Sequence, residues 1–197
     1  MTKGRLEAFS DGVLAIIITI MVLELRPPDP INGTGFAALG PLVPKFIAYA
    51  LSFVNVGSYW NNHHHLLHAS RVVNGRVLWA NLFLLFWLSL FPFVTAWMGD
   101  AGYSQDSVAL YGVIALLAGA AYSLLLLELR RVPGQSGPVM ETDGAGLKGF
   151  VSLGLYAAGA IIALAGFPFI AFAGYVIVAI MWFIPDRRVE QTLHHGG

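Results

Sequence analysis

The chain contains no cysteine. That excludes disulfides, thiolate metal sites and cysteine nucleophiles, and leaves the redox compartment undecided. Charge is scarce too: 11% of the 197 residues are charged, where soluble domains carry about 25%. The charges divide evenly, 11 basic and 11 acidic, so no excess of either sign marks a nucleic-acid surface or a polybasic membrane patch. There is no His-Glu-x-x-His motif and no internal duplication. Any chemistry would rest on oxygen and imidazole groups.

What the chain has in abundance is apolar surface. Hydrophobic residues make up 57%, and 22 glycines bring the apolar share to roughly 68%, where soluble domains run at about 45–50%. A bilayer crossing takes about 20 mostly apolar residues. Six such stretches are predicted, at 6–25, 44–67, 77–99, 107–128, 147–165 and 167–184. The expected fold class is an all-α integral membrane protein, with one domain over 1–188 and a short cytoplasmic tail over 189–197 that holds His194 and His195. Turn residues punctuate the spans: Pro27, Pro28 and Pro30 after the first, Arg71 to Arg76 after the second, and Gly99, Asp100 and Gly102 after the third. A polar, glycine-rich stretch from Pro133 to Gly146 follows the fourth, and Gly166-Phe167-Pro168 makes a tight hairpin between the last two.

Basic residues set the orientation. Lys3, Arg5, Arg71, Arg76, Arg130, Arg131, Lys148, Arg187 and Arg188 all fall on one side, whereas only Arg26 and Lys45 fall on the other. Both termini are therefore expected in the cytoplasm. The first apolar segment is expected to be retained as a span, because its run is long and it carries Asp11.

Asp11 is the residue that needs explaining. Spans two to six carry no Asp, Glu, Lys or Arg in their apolar interiors, and a carboxylate at mid-membrane costs about 2.5–3.5 kcal/mol on insertion scales. At 100° per residue, Ile16, Thr19, Ile20 and Leu23 share one helical face, and Asp11 points about 140° away from it. Glu7, one turn earlier, would repel Asp11 rather than stabilise it. The start of span one, the end of span two and the start of span three lie at similar depth. A buried network of Ser10, Asp11, His63 and Asn81 is expected there, tying the first helix to the next two. His63, His64, His65 and His68 also invite a metal reading, with His64 and His68 one turn apart. Gly149, Gly154, Gly159 and Gly174 are expected as helix-packing contacts.

The run Arg5-Leu6-Glu7-Ala8-Phe9-Ser10-Asp11-Gly12-Val13, followed by Ala15, Ile16, Thr19, Leu23 and Glu24, resembles the Arg-x-x-x-Phe-Ser-Asp signature of the prokaryotic transmembrane protein 175 potassium channels. Trp60, Asn61, Asn62 and His63 in span two, and Asn81, Leu82, Pro92 and Phe93 in span three, extend the resemblance over roughly residues 4–100. It implies a homotetramer of six-helix subunits around a central pore lined by the first helix, without a re-entrant loop. It places Ile16, Thr19, Ile20 and Leu23 at the pore as a hydrophobic constriction. Arg5, Phe9, Ser10, Asp11, Trp60, His63 and Asn81 become the signature residues that position the pore helix. No glycine-rich potassium filter adjoins an apolar span.

The expected function is a potassium-preferring channel of the cell membrane, passing potassium and other monovalent cations. It is not expected to be an enzyme, to hold a cofactor or metal, or to bind nucleic acid; its partners would be membrane lipids and its own copies. At the outer mouth, Glu24, Asp29, Asp100 and Asp106 would gather cations. An intramembrane metalloprotein or enzyme using the histidine cluster, or a coupled transporter, is the alternative.

Overall fold

Leu6, Ser10, Leu14, Ile17 and Met21 recur three or four residues apart and are all buried, the pattern of a helix with one face packed inward. This is α1, Lys3–Met21, in a computed structural model that describes residues 2–28, 35–70, 72–133 and 146–183. Six more α-helices follow among the described residues: α2 Val43–Ala69, α3 Gly75–Ser89, α4 Phe91–Asp100, α5 Gln105–Arg130, α6 Leu147–Leu164 and α7 Pro168–Phe183. Short 3-10 helices extend α1 through Val22–Glu24 and lead into α2 through Phe36–Leu42.

Among the described residues, five stretches are long and apolar enough to cross a membrane: Lys3–Glu24, Phe36–Ala69, Gly75–Asp100, Gln105–Arg130 and Leu147–Leu164. The sixth expected span, α7, is equally apolar but shorter, with 16 described residues. Pro30, Arg71, Asp29, Arg187, Arg188 and the 189–197 tail lie outside the described residues.

The third span departs from a single straight helix. Pro92 has no amide to donate, and its ring would crowd the carbonyl four residues back, so the helix breaks at Leu90 (φ −87°, ψ −10°) and restarts as α4 with proline in its first turn. The last two helices fold back as expected. Gly166 takes φ +100°, its amide donates to Ala163 O at 3.0 Å and Phe167 N donates to Ile162 O at 3.1 Å, which closes the end of α6 with a left-handed residue.

The core centres on α5, which packs against α3, α4, α6 and α7, while α1 rests on α2, α3 and α4. Tyr175 of α7 is fully buried, its ring stacked 5.6 Å from Tyr111 and tilted 5.7 Å from Tyr156. Gly112 and Gly159 make the room: a Cβ on either would run into the Tyr175 ring. Of the glycines expected at helix contacts, Gly159 serves that purpose, whereas Gly154 and Gly174 face open space and Gly149 borders a crevice. The reason is that a small residue marks a close contact only where a neighbouring backbone or ring actually crosses it.

Candidate functional site

The two faces of α1 differ in what they touch. Its buried face meets three helices, but Ile16, Thr19, Ile20 and Leu23 are left uncovered within the subunit, with Ile16 60% and Leu23 69% exposed. Gly12 and Ala15 continue this uncovered stripe. The Thr19 hydroxyl donates back into its own helix, to Ala15 O at 2.8 Å and Ile16 O at 3.0 Å. Its proton is therefore committed, and its oxygen presents lone pairs outward.

Arg5 and Phe9, which the resemblance sets among the residues that position the pore helix, lie on the uncovered side of α1. Both are exposed, and at 100° per residue they return to within about 20° of Ile16, so they continue the uncovered stripe towards the start of α1. Arg5 has no ion pair among the described residues.

Ser10, His63 and Asn81 do meet, at 0%, 1% and 0% exposure. His63 Nε2–H donates to Asn81 Oδ1 at 2.6 Å, and Asn81 Nδ2–H donates to Ser10 Oγ at 2.9 Å. One amide thus spends its acceptor on α2 and a donor on α1, bonding three helices at one depth. In an apolar surround such groups are costly unless paired, so the chain of bonds specifies how α1 seats on α2 and α3.

Asp11 is not a member of that chain. It lies half-buried on a different side of α1 and accepts a hydrogen bond from Trp60 Nε1 at 3.0 Å. Successive residues on a helix point 100° apart, so Ser10 and Asp11 reach different neighbours. The expected single network is therefore two separate contacts: Ser10–Asn81–His63 inside, and Asp11–Trp60 at the edge. Glu7 pairs with Lys3 at 3.8 Å, and Lys3 Nζ also donates to His68 O at 2.7 Å, tying the start of α1 to the end of α2.

A second buried polar layer lies deeper in the bundle. Thr95 of α4 donates to Ser52 Oγ at 2.6 Å, Ser52 to Tyr111 Oη at 3.2 Å, and Asn55 Nδ2 to the same oxygen at 2.9 Å; Tyr156 Oη donates to Asn55 Oδ1 at 3.3 Å. This layer links α2, α4, α5 and α6. Its signal in the sequence is the spacing of Ser52, Asn55 and Tyr59 as one stripe through an apolar span.

At the end of α1 remote from Lys3, the expected carboxylate cluster thins out. Asp100 is ion-paired with Lys45, and Asp106 sits exposed in the first turn of α5, where a helix N-terminus favours negative charge. Glu24 is exposed and next to Leu23. His64, His65 and His68 are exposed, with the His64 ring stacked 6.0 Å from His68 and tilted 6.2 Å from Trp60. Among the described residues no group of three or more His, Asp or Glu side chains is arranged to hold a metal ion.

Comparison with known proteins bears on the whole chain. The family described as endosomal/lysosomal potassium channel TMEM175 matches residues 5–92. A potassium channel of a Chryseobacterium species is 50% identical over 98% of this chain and 98% of its own. A potassium channel of Streptomyces collinus is 31% identical, over 73% of this chain and 72% of its own. The human endosomal/lysosomal proton channel TMEM175 is 40% identical over 44% of this chain, which is 19% of its own length. The crystal structure of a lysosomal potassium-selective channel TMEM175 homolog from Chamaesiphon minutus superposes with a TM-score of 0.80, covering 91% of this chain and 95% of that one, at 24% identity, a likeness of fold. These relatives are channels rather than enzymes, and the apolar helices are those of a multi-pass membrane protein.

Proposed function

This chain belongs to the TMEM175 family, and we propose that it is a potassium-preferring cation channel that conducts passively along the uncovered face of α1. The observation that carries the reading is the division of α1. One face is fastened to α2 and α3 through Ser10, Asn81 and His63, and the stripe of Ile16, Thr19, Ile20 and Leu23 is left uncovered by the described residues. A single helix cannot enclose a lumen. Four copies around an axis, each presenting α1, close the stripe into rings.

Rings of Ile16, Ile20 and Leu23 form a narrow apolar constriction that gates by dewetting. Potassium gives up its hydration shell more readily than sodium, so a passage that demands partial dehydration favours potassium without a carbonyl filter. The selectivity of such a passage is modest. Thr19 supplies the ring's one outward oxygen acceptor, and Glu24 at the mouth raises the local cation concentration. Potassium is the permeant substrate, and the activity requires no cofactor. The basic residues orient both termini to the cytoplasm, in the cell membrane.

The test is the reversal potential of reconstituted protein in opposed potassium and sodium gradients, for the wild type and for Ile16→Ala and Leu23→Ala. A shift towards the potassium equilibrium potential that weakens in both variants is expected. Unchanged conductance and selectivity in both would overturn the assignment of α1 to the pore.

A further inference from the structure

Outside α1, a crevice of about 50 Å³ lies between α2, α5, α6 and the end of α7. It exists because α2 and α6 do not pack closely against each other; on its α5 wall Gly119 lets the Leu153 side chain come close, where a Cβ would meet it and come within 3.4 Å of Tyr59 Oη. It reaches from Asn62, Gly149 and Trp182 at the end where α2 finishes to Asn55 and Tyr156 deeper in the bundle.

No lining side chain carries a formal charge. An anion or cation placed there would lack a counter-charge at membrane depth, which excludes carboxylate, phosphate and ammonium ligands. The walls nevertheless hold unspent hydrogen-bonding capacity. The hydroxyls of Ser58 and Tyr59 and the side-chain carbonyl of Asn62 make no hydrogen bond among the described residues. Asn62 uses only its Nδ2, donated to Ser58 O at 2.8 Å. A group that both donates and accepts would satisfy all three.

We infer that this crevice is a binding site for the hydroxyl of a neutral, membrane-partitioning alcohol. The volume admits only a few non-hydrogen atoms, roughly those of three or four waters at about 10–15 Å³ each. The polar head therefore enters and the apolar remainder stays against Tyr59, Tyr122 and Trp182 or in the surrounding hydrocarbon. Asn55 borders the crevice and also belongs to the Thr95–Ser52–Tyr111 layer, so the occupant touches the same residue that helps hold α4, a neighbour of α1. The site is independent of the conduction pathway proposed above.

The test is photolabelling of the full-length protein in lipid vesicles with an octanol that carries a diazirine, followed by mapping of the modified residues. Labelling is expected to concentrate on the α2, α5 and α6 segments around Tyr59, Tyr122 and Ser152, to saturate, and to be competed by unlabelled octanol. Ser123→Leu fills the crevice at the cost only of a bond within its own helix, to Gly119 O, and is expected to abolish that labelling. Tyr59→Phe keeps the packing and removes one partner, raising the half-saturating concentration about fivefold. Labelling that does not saturate, spreads evenly over the exposed Phe150 and Ile161 of α6, or persists in Ser123→Leu would overturn the site. Bound water without alcohol would show itself as labelling indistinguishable from the lipid-facing background, and would overturn it equally.

Discussion

Asn81 and Asp11 make opposite cases for how a polar residue is tolerated in this bundle. Asn81 is fully buried and serves two other helices, so its removal strands Ser10 and His63 together. Asn81→Leu is therefore expected to destabilise by about 2–6 kcal/mol, at roughly 1–3 kcal/mol for each of the two unsatisfied buried groups. Thermal unfolding of the detergent-solubilised protein measures this, and a shift indistinguishable from that of Asn81→Ser would count against the two-sided role. Asp11 accepts one bond at the edge, from Trp60 Nε1. Asp11→Asn retains that acceptor and is expected to cost under about 1 kcal/mol. A large loss on the same assay would show that the negative charge itself is required. Both residues stood out in the sequence as polar groups within apolar runs. What sequence could not reveal is which partner each would find, because that depends on the crossing of helices far apart in the chain.

At the scale of the element, small residues and proline set the shapes. Tyr175 of α7 reaches between α5 and α6 because Gly112 and Gly159 lack side chains there. Gly112→Ala forces the Tyr175 ring aside, an overpacking cost of about 1–3 kcal/mol. Tyr175→Phe removes the phenolic oxygen nearest the new methyl, so the double variant is expected to lose less than the two single losses added. Strict additivity in unfolding measurements would remove Tyr175 from the account. Gly154 and Gly174 lie in open space, and alanine at either is expected to be nearly neutral. In the sequence all four of these positions look alike. The break at Pro92 was open to reading from proline's missing donor, yet hydropathy runs unbroken through it and draws one span where there are two helices.

For the whole molecule, the open question of assembly turns on one stripe of α1. Ile16, Ile20 and Leu23 stand exposed in the subunit although they are apolar and sit beside a threonine whose oxygen faces outward. If four copies enclose this stripe, light scattering of the detergent complex, corrected for bound detergent, gives a mass of four subunits. A monodisperse monomer that still conducts would contradict the pore. Orientation is testable with unusual directness because the chain has no cysteine. A single Thr2→Cys should react with a membrane-impermeant thiol reagent only from the cytoplasmic face. Reaction from the outside would reverse the topology drawn from the basic residues.

The sequence by itself determined the scarcity of charge, the apolar runs that become helices and the two-sidedness of α1. These are local properties: hydropathy acts residue by residue, and the helical repeat fixes direction over a few turns. It also marked Ser10, His63 and Asn81 as residues of one depth. Only the tertiary structure decided that Asn81 bridges them while Asp11 turns to Trp60, that Arg5 and Phe9 join the uncovered stripe, that Asp100 is spent on Lys45, and that a second polar layer surrounds Tyr111. Those outcomes follow from the angles and depths at which distant helices cross, and a polar group in an apolar bundle takes whichever partner that geometry brings within about 3 Å.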